Sequence, residues 1–257
     1  MTLKQFTNSI KCLCLCSCLL SNAHSQEFTV GWESWYPYQF KNKTGKLTGL
    51  DIEIFDLIAK KIDVNPKYIE LPWQRNLMYI KTGLLDVVLG SSFTEERQES
   101  ALFSVPYRTE SINLFVRKGT ANSYELNKLS DLIETDYLIG VENGYYYGDE
   151  YQKLTKTPEF MARINGVLDV EQNVQMLLKG YINGFLADPI TVKVIESKMK
   201  IHNELEVHPL LIETTDVFIM LSKKSVNINQ LTKINKAITT IQQNGKLDEI
   251  IKHWSVF

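Results

Sequence analysis

The chain has 257 residues, 44% of them hydrophobic and 23% charged, with a formal net charge of −2. That balance excludes a disordered polypeptide, which has fewer apolar residues or a larger charge excess, and it lacks the basic surplus of a nucleic-acid-binding domain. The length suits one large domain or two small ones, each able to bury a core.

All four cysteines, Cys12, Cys14, Cys16 and Cys18, fall in one short stretch. Their alternate spacing is not that of a zinc site and no second Cys or His pair lies at finger distance, so no metal is expected. Residues 1–25 carry Lys4 and Lys11 but no acid, then the apolar run Cys12 to Leu20, then Ala23-His24-Ser25. These are the three parts of a secretory signal peptide, with a run far shorter than the ~20 residues that span a bilayer. Leu15-Cys16-Ser17-Cys18 also loosely resembles a lipobox, which would leave a lipid anchor at Cys18 instead. Beyond residue 25 remain 232 residues with a charge of −4 and no cysteine. Such a chain suits an oxidising compartment and excludes a cysteine nucleophile.

Short β-rich runs then alternate with helical patterns, which predicts α/β architecture with a mainly parallel sheet. Phe28 to Trp32 reads as the first strand. Leu50, Ile54, Ile58 and Ile62 recur every four residues as the apolar stripe of a helix, with Asp51 and Glu53 at its start and Lys60 and Lys61 at its end, as the helix dipole favours. Tyr68 to Leu71 reads as a strand, Trp73 to Thr82 as a helix closed by Gly83, and Leu85 to Leu89 as a third strand. Ile112 to Val116 is β-rich. Tyr137 to Val141 reads as a strand, Val170 to Lys179 as a helix ended by Gly180, Gly184 to Ala187 as a strand, and a helix starts near Pro189. Val217 to Leu221 is a last β-rich run. The halves echo one another: Lys81-Thr82-Gly83-Leu84-Leu85-Asp86 and Leu178-Lys179-Gly180-Tyr181-Ile182-Asn183 each end a helix at Gly and lead into an apolar strand. Superposed, they place Gly90-Ser91-Ser92 and Ala187-Asp188 at equivalent strand C-termini, where open α/β sheets bind ligands.

Several segments in order carry a family resemblance: Val30-Gly31-Trp32-Glu33-Ser34-Trp35-Tyr36-Pro37-Tyr38, Gly45 to Glu53, Gly83-Leu84-Leu85-Asp86, Thr94-Glu95-Glu96-Arg97, Phe103-Ser104-Val105-Pro106-Tyr107, Ile139-Gly140-Val141 and Asn244-Gly245-Lys246-Leu247 to Trp254. Together they resemble the extracytoplasmic solute-binding proteins of the polar-amino-acid uptake type (family 3), receptor subunits of ABC importers. The resemblance implies a two-lobed periplasmic-binding-protein-like (type II) α/β fold, each lobe a mainly parallel sheet flanked by helices, joined by two hinge strands. Residues 26–110 and 216–257 would form lobe 1 and residues 111–215 lobe 2. Asn227 onward is too short a tail to fold alone, which favours this interrupted arrangement over two domains in tandem.

A zwitterionic ligand needs a fixed cation and a fixed anion, each desolvated only with a partner. The resemblance implies that Arg97, matching the family's T-x-x-R arginine, grips an α-carboxylate with its planar fork, with Gly90 and Ser92 adding hydrogen bonds. It implies that Asp188 holds an α-ammonium, although Asp188 also fits a helix N-cap before Pro189. Glu33 and Trp35 fall where the family places an acid and an aromatic wall, and Trp35 also fits the core. Two positions depart from the pattern. Tyr146, in Asn143-Gly144-Tyr145-Tyr146-Tyr147-Gly148, stands where the family has Ser or Thr, so the ligand is small or displaced, or the tyrosines form a lid. Arg75 opposes the dipole of its helix, as a contact for a second ligand carboxylate or as half of a salt bridge.

The expected function is a periplasmic, monomeric receptor that closes its cleft on a small amino-acid-like ligand and presents it to ABC importer membrane subunits. No cofactor is expected, since His202, His208 and His253 are scattered and no phosphate-binding glycine loop follows a strand. A periplasmic sensor is an alternative. So is a secreted dehydratase of the same fold, with Glu33 as general acid and Arg97 and Arg75 as carboxylate clamps.

Overall fold

The computed structural model describes residues 26–123 and 125–254. The segment read as a signal peptide, with its four cysteines, lies outside them. The chain runs β1 (Gln26–Trp32), a hairpin of β2 (Phe40–Lys41) and β3 (Leu47–Thr48), α1 (Leu50–Lys61), β4 (Val64–Glu70), α2 (Trp73–Thr82), β5 (Val87–Ser91), α3 (Glu95–Ser100), β6 (Ala101–Phe103) and β7 (Arg108–Arg117). It continues with β8 (Ile139–Glu142), α4 (Asp149–Leu154), α5 (Pro158–Met161), β9 (Ile164–Val167), α6 (Val170–Leu178), β10 (Gly184–Ala187), α7 (Pro189–Met199), β11 (Leu205–Ser222), α8 (Ile228–Gln243) and α9 (Lys246–Trp254).

The strands lie side by side in the order β4-β1-β5-β11-β7-β10-β8-β9. Within it β4, β1 and β5 are parallel, as are β9, β8 and β10, and each trio is closed by one long antiparallel strand, β11 or β7. The order second, first, third, crossover strand therefore occurs twice, and the two lobes meet through the β7–β11 ladder. Helices cover both faces of each trio, as a parallel sheet requires. In lobe 1, Phe55 and Ile58 of α1 share one core with Ile234 and Ile238 of α8 and Leu247 and Ile250 of α9. Trp73 and Ile80 of α2 pack the opposite face.

The echo between the halves extends to atomic packing. Gly31 of β1 faces the buried Asn76 of α2, and a Cβ built on it falls 2.3 Å from Asn76 Oδ1; Gly140 of β8 faces Asn173 of α6, at 2.1 Å. Asp86 accepts from the Thr29 amide at 2.8 Å, and Asn183 accepts from the Leu138 amide at 2.8 Å, in the equivalent strand. Each lobe uses a side-chain-free strand residue to let its helix approach.

Two strands start earlier than their sequence pattern suggests. β4 begins at Val64 and includes Pro66, which is tolerated because β4 is an edge strand and needs no amide donor on its outer side. β11 begins at Leu205 and carries Pro209 within its register irregularity between Val207 and Leu211. Glycine fits the helix end at Gly83, whose φ is 83°.

We expect Gly140→Ala to destabilise the protein by about 1–3 kcal/mol, read from the urea midpoint. Adding Asn173→Ala restores part of that loss, because among the described residues the Asn173 side-chain amide has no hydrogen-bond partner to lose.

Candidate functional site

The C-terminal ends of the parallel strands of both lobes face one cleft, with the crossover strands as its floor. Glu33 follows β1, Ser92 follows β5, Gly144 and Tyr145 follow β8, and Asp188 follows β10.

Arg97 sits in the first turn of α3, whose start is capped by Thr94 Oγ1 accepting from the Arg97 amide at 3.1 Å. Its guanidinium donates to the Ser92 carbonyl at 2.8 Å and, across the cleft, to the Gly144 carbonyl at 2.9 Å, and lies 5.4 Å from the centre of the Trp73 ring. Among the described residues no carboxylate forms an ion pair with it. Burial lowers this guanidinium to about 10. A half-buried cation bonded only to neutral carbonyls is undercompensated and favours an incoming anion.

Opposite Arg97 the cleft is aromatic. Glu33 accepts from the Trp73 amide at 2.8 Å and from the Tyr145 phenol. Burial raises the Glu33 carboxyl above its ordinary value, against the two hydrogen bonds that lower it. The Tyr145 ring stands edge-on to Trp35 at 6.1 Å and tilted against Trp73 at 5.7 Å. Trp35 Nε1 donates to Thr191 Oγ1 at 3.0 Å, and Asp188 Oδ2 accepts from both the amide and the hydroxyl of Thr191, each at 2.8 Å. Asp188 is thus the N-cap of α7 and anchors a polar contact between the lobes.

Beneath Trp35 lies a charged cluster. Arg108 donates from Nε to Asp51 Oδ1 at 2.8 Å and from Nη2 to Oδ2 at 3.2 Å, while its guanidinium stacks 4.0 Å from the Tyr38 ring centre. Asp51 and Arg108 are 1% and 7% exposed, so this is a fully desolvated bidentate pair. Arg108 Nη1 forms a longer ion pair with Glu110, at 3.5 Å. Burial pushes the Glu110 carboxyl up to about 8; Arg108 opposes this, and Asp188 and Asp51 add to it.

An inner cavity of about 20 Å³ remains among these groups. Trp35, Trp73, Gly90, Ser92, Arg97 and Glu110 line it, and Tyr145 and Tyr146 close it from the other lobe. It holds about one water, far less than an ordinary small-molecule pocket. A groove of about 1400 Å³ between α2 and α3 on one side and β8 and α4 on the other shares Arg97, Tyr145 and Tyr146 with it.

Of the residues singled out in the sequence, Arg97, Ser92, Gly90, Trp35 and Glu33 come together here. The Gly90 amide donates to the Tyr107 phenol at 3.0 Å, and at φ 70° Gly90 carries no Cβ where Trp35 would be 2.8 Å away. Trp35 is buried in the lobe 1 core and also lines the cavity. Asp188 lies just behind the lining, engaged as a cap. One expectation needs correction. Arg75 is exposed on α2, lines neither space and has no ion pair among the described residues, because its neighbour Trp73 takes the inward face of that turn. Tyr146 lines the cavity beside Tyr145, with its phenol donating to Asp149 at 2.7 Å; Tyr145 meets Glu33, while Tyr147 is buried in the core of lobe 2. Tyr145, Trp73, Arg108 and Glu110 escape sequence reading. Asp51 read as a dipole-favoured helix residue is instead the partner of Arg108, a pairing across 57 positions that no local pattern reveals.

We expect Arg108→Met to cost about 3–5 kcal/mol in urea unfolding, because it strands Asp51 uncompensated in the core. The double variant with Asp51→Leu recovers most of that loss.

The profile of the bacterial extracellular solute-binding proteins, family 3, matches residues 28–257. Among curated relatives, the L-cystine-binding protein TcyJ of Escherichia coli (strain K12) is 25% identical over 227 residues, covering 88% of this chain and 81% of that protein. The arginine-binding periplasmic protein of Mannheimia haemolytica is 24% identical over 239 residues, covering 90% and 92%. Among solved structures, an ancestral arginine-binding protein bound to arginine superposes with a TM-score of 0.76 at 26% identity, over 90% of this chain and 100% of that one. Two lobes of repeated topology, a cleft at their strand ends and a family profile spanning nearly all of the described chain lead to one conclusion: the protein belongs to the bacterial extracellular solute-binding proteins of family 3.

Proposed function

We propose that this protein is a receptor for a small amino-acid-like zwitterion, captured between the lobes and passed to the membrane subunits of an ABC importer. The observation that carries the reading is Arg97, a half-buried guanidinium at the cleft bonded only to backbone carbonyls. A ligand carboxylate would take the place of the Gly144 oxygen and give Arg97 the anion it lacks. The ligand's ammonium would lie toward the acidic side of the cleft, where Asp188 stands, and Trp35 and Trp73 supply apolar walls.

Closure follows from the same contacts. Arg97 and Trp73 donate to Gly144, Tyr145 donates to Glu33, and Trp35 donates to Thr191, so the lobes already bond directly. An inner cavity of about 20 Å³ admits an amino acid only if the lobes part and Tyr145 leaves Glu33. A bridging ligand then replaces these bonds with charge-assisted ones, which shifts the population toward the closed form that an importer would recognise. The groups lining the cleft hold and neutralise charge, which fits a receptor rather than an enzyme, acting as a monomer. Export to the periplasm by a cleaved signal peptide at residues 1–25 completes the proposal, resting on the charged, apolar and small-residue parts of that segment.

A calorimetric screen of the standard L-amino acids, L-cystine, opines, small dipeptides and dicarboxylates is expected to find saturable binding without product formation. Arg97→Ala is expected to weaken the best binder by more than tenfold, the loss of one charge-assisted pair. Affinity retained within about threefold would reject the carboxylate assignment.

A further inference from the structure

Glu110 is a carboxyl of the cleft interior with no role so far. Glu110 lies on the crossover strand β7, opposite Thr215 of β11, so it sits in the floor where the lobes join. Its side chain is 8% exposed and lines the same inner cavity as Arg97. Its charged neighbour is only partly available to it: Arg108 commits Nε and Nη2 to Asp51 and leaves Nη1 for a longer ion pair of 3.5 Å with Glu110. The floor therefore contains one cation and two carboxyls, with Asp51 already neutralising Arg108.

The groups bearing on Glu110 come from every surrounding element. Arg108 and Asp51 lie on the lobe 1 side and Asp188 stands at the start of α7, while the Glu142 carboxyl at the end of β8 is itself pushed well above its ordinary value by burial. The phenols of Tyr38 and Tyr147 complete the surroundings. Against Arg108 stand two acids, Asp51 and Asp188, so ionising Glu110 without an added cation is unfavourable in this buried floor. A cation placed in the cavity, within reach of Arg97 for its own carboxylate, reverses that balance.

We propose that Glu110 is a second carboxylate contact for the ligand's ammonium group, beside Asp188, and that it gives its proton to solvent when that cation binds, so that ligand capture is coupled to proton release. The proposal rests on the amino-acid-receptor reading above. The sign follows from linkage. Glu110 is protonated below about 8 in the free protein and ionised in the complex, so the complex binds fewer protons and affinity rises with pH up to about 8, by about tenfold per unit, and then levels. An ammonium group that is already protonated near neutral pH contributes no proton of its own.

The test is titration calorimetry of the full mature chain against the standard L-amino acids and L-cystine, in two buffers of different ionisation enthalpy near pH 7. The best binder is expected to release about 0.9 proton from the wild-type protein and to bind about tenfold more tightly at pH 7 than at pH 6. Glu110→Gln is expected to abolish the release and flatten the pH profile. Glu196→Gln, the second variant, removes a carboxyl on α7 that lines neither the cavity nor the groove and is expected to keep both. Binding without proton release by the wild type overturns the proposal. So does release that persists in Glu110→Gln, or release lost in Glu196→Gln, and in each case the receptor reading stands. If none of the amino acids binds the wild type, the receptor reading fails and this proposal fails with it.

Discussion

The antiparallel ladder between β7 and β11 is the contact on which the rest of the molecule depends. Each lobe is a trio of parallel strands that would end in an open edge, and a crossover strand closes each one. Because β7 and β11 pair with one another, closing the edges and joining the lobes are the same event. The register matters as much as the pairing. Arg108 opposite Val217 and Glu110 opposite Thr215 project from the one stretch of backbone common to both lobes, so the charge of the cleft floor is set by the hinge.

Polar groups in this cleft are held in chains rather than as isolated pairs. Trp35, Thr191 and Asp188 form one chain across the lobes, and Glu33, Tyr145 and the Trp73 amide form another. Each link desolvates its neighbours, which raises the stakes of every unpaired atom. Arg97 is the clearest case, since its partners are all neutral. The undercompensated charges lie in the cleft between the two lobes.

Much of the architecture was legible because it rests on local rules. The α1 stripe, the helix from Trp73 to Thr82 with its Gly83 stop, and the strand Gly184 to Ala187 follow from periodicity and capping, which act within a few residues. The site was legible in part. Arg97 could be singled out since a recognisable motif leads to it, and Glu33 and Trp35 because they follow a strand end. The tyrosine segment was legible only as a group: alternation along Tyr145-Tyr146-Tyr147 sends neighbours in different directions, and tertiary packing decides that Tyr145 meets Glu33 while Tyr147 enters the lobe 2 core. β4 and β11 begin before the runs read for them, at Val64 and Leu205, and carry Pro66 and Pro209, because whether a proline is tolerated depends on edges and register irregularities that only the sheet decides.

By itself the sequence determined the alternation of strands and helices, the duplication of a short helix-Gly-strand unit, and the strand ends at which chemistry collects, since all of these follow from short-range sterics and periodicity. Tertiary structure alone decided that Asp51 neutralises Arg108, that Tyr145 rather than Tyr146 meets Glu33, and that Arg75 stays in solvent. The reason is physical. A side chain's charge compensation depends on groups brought near it from 57 or 112 positions away, and burial, which gives those partners their energetic weight, does not exist until the lobes have packed.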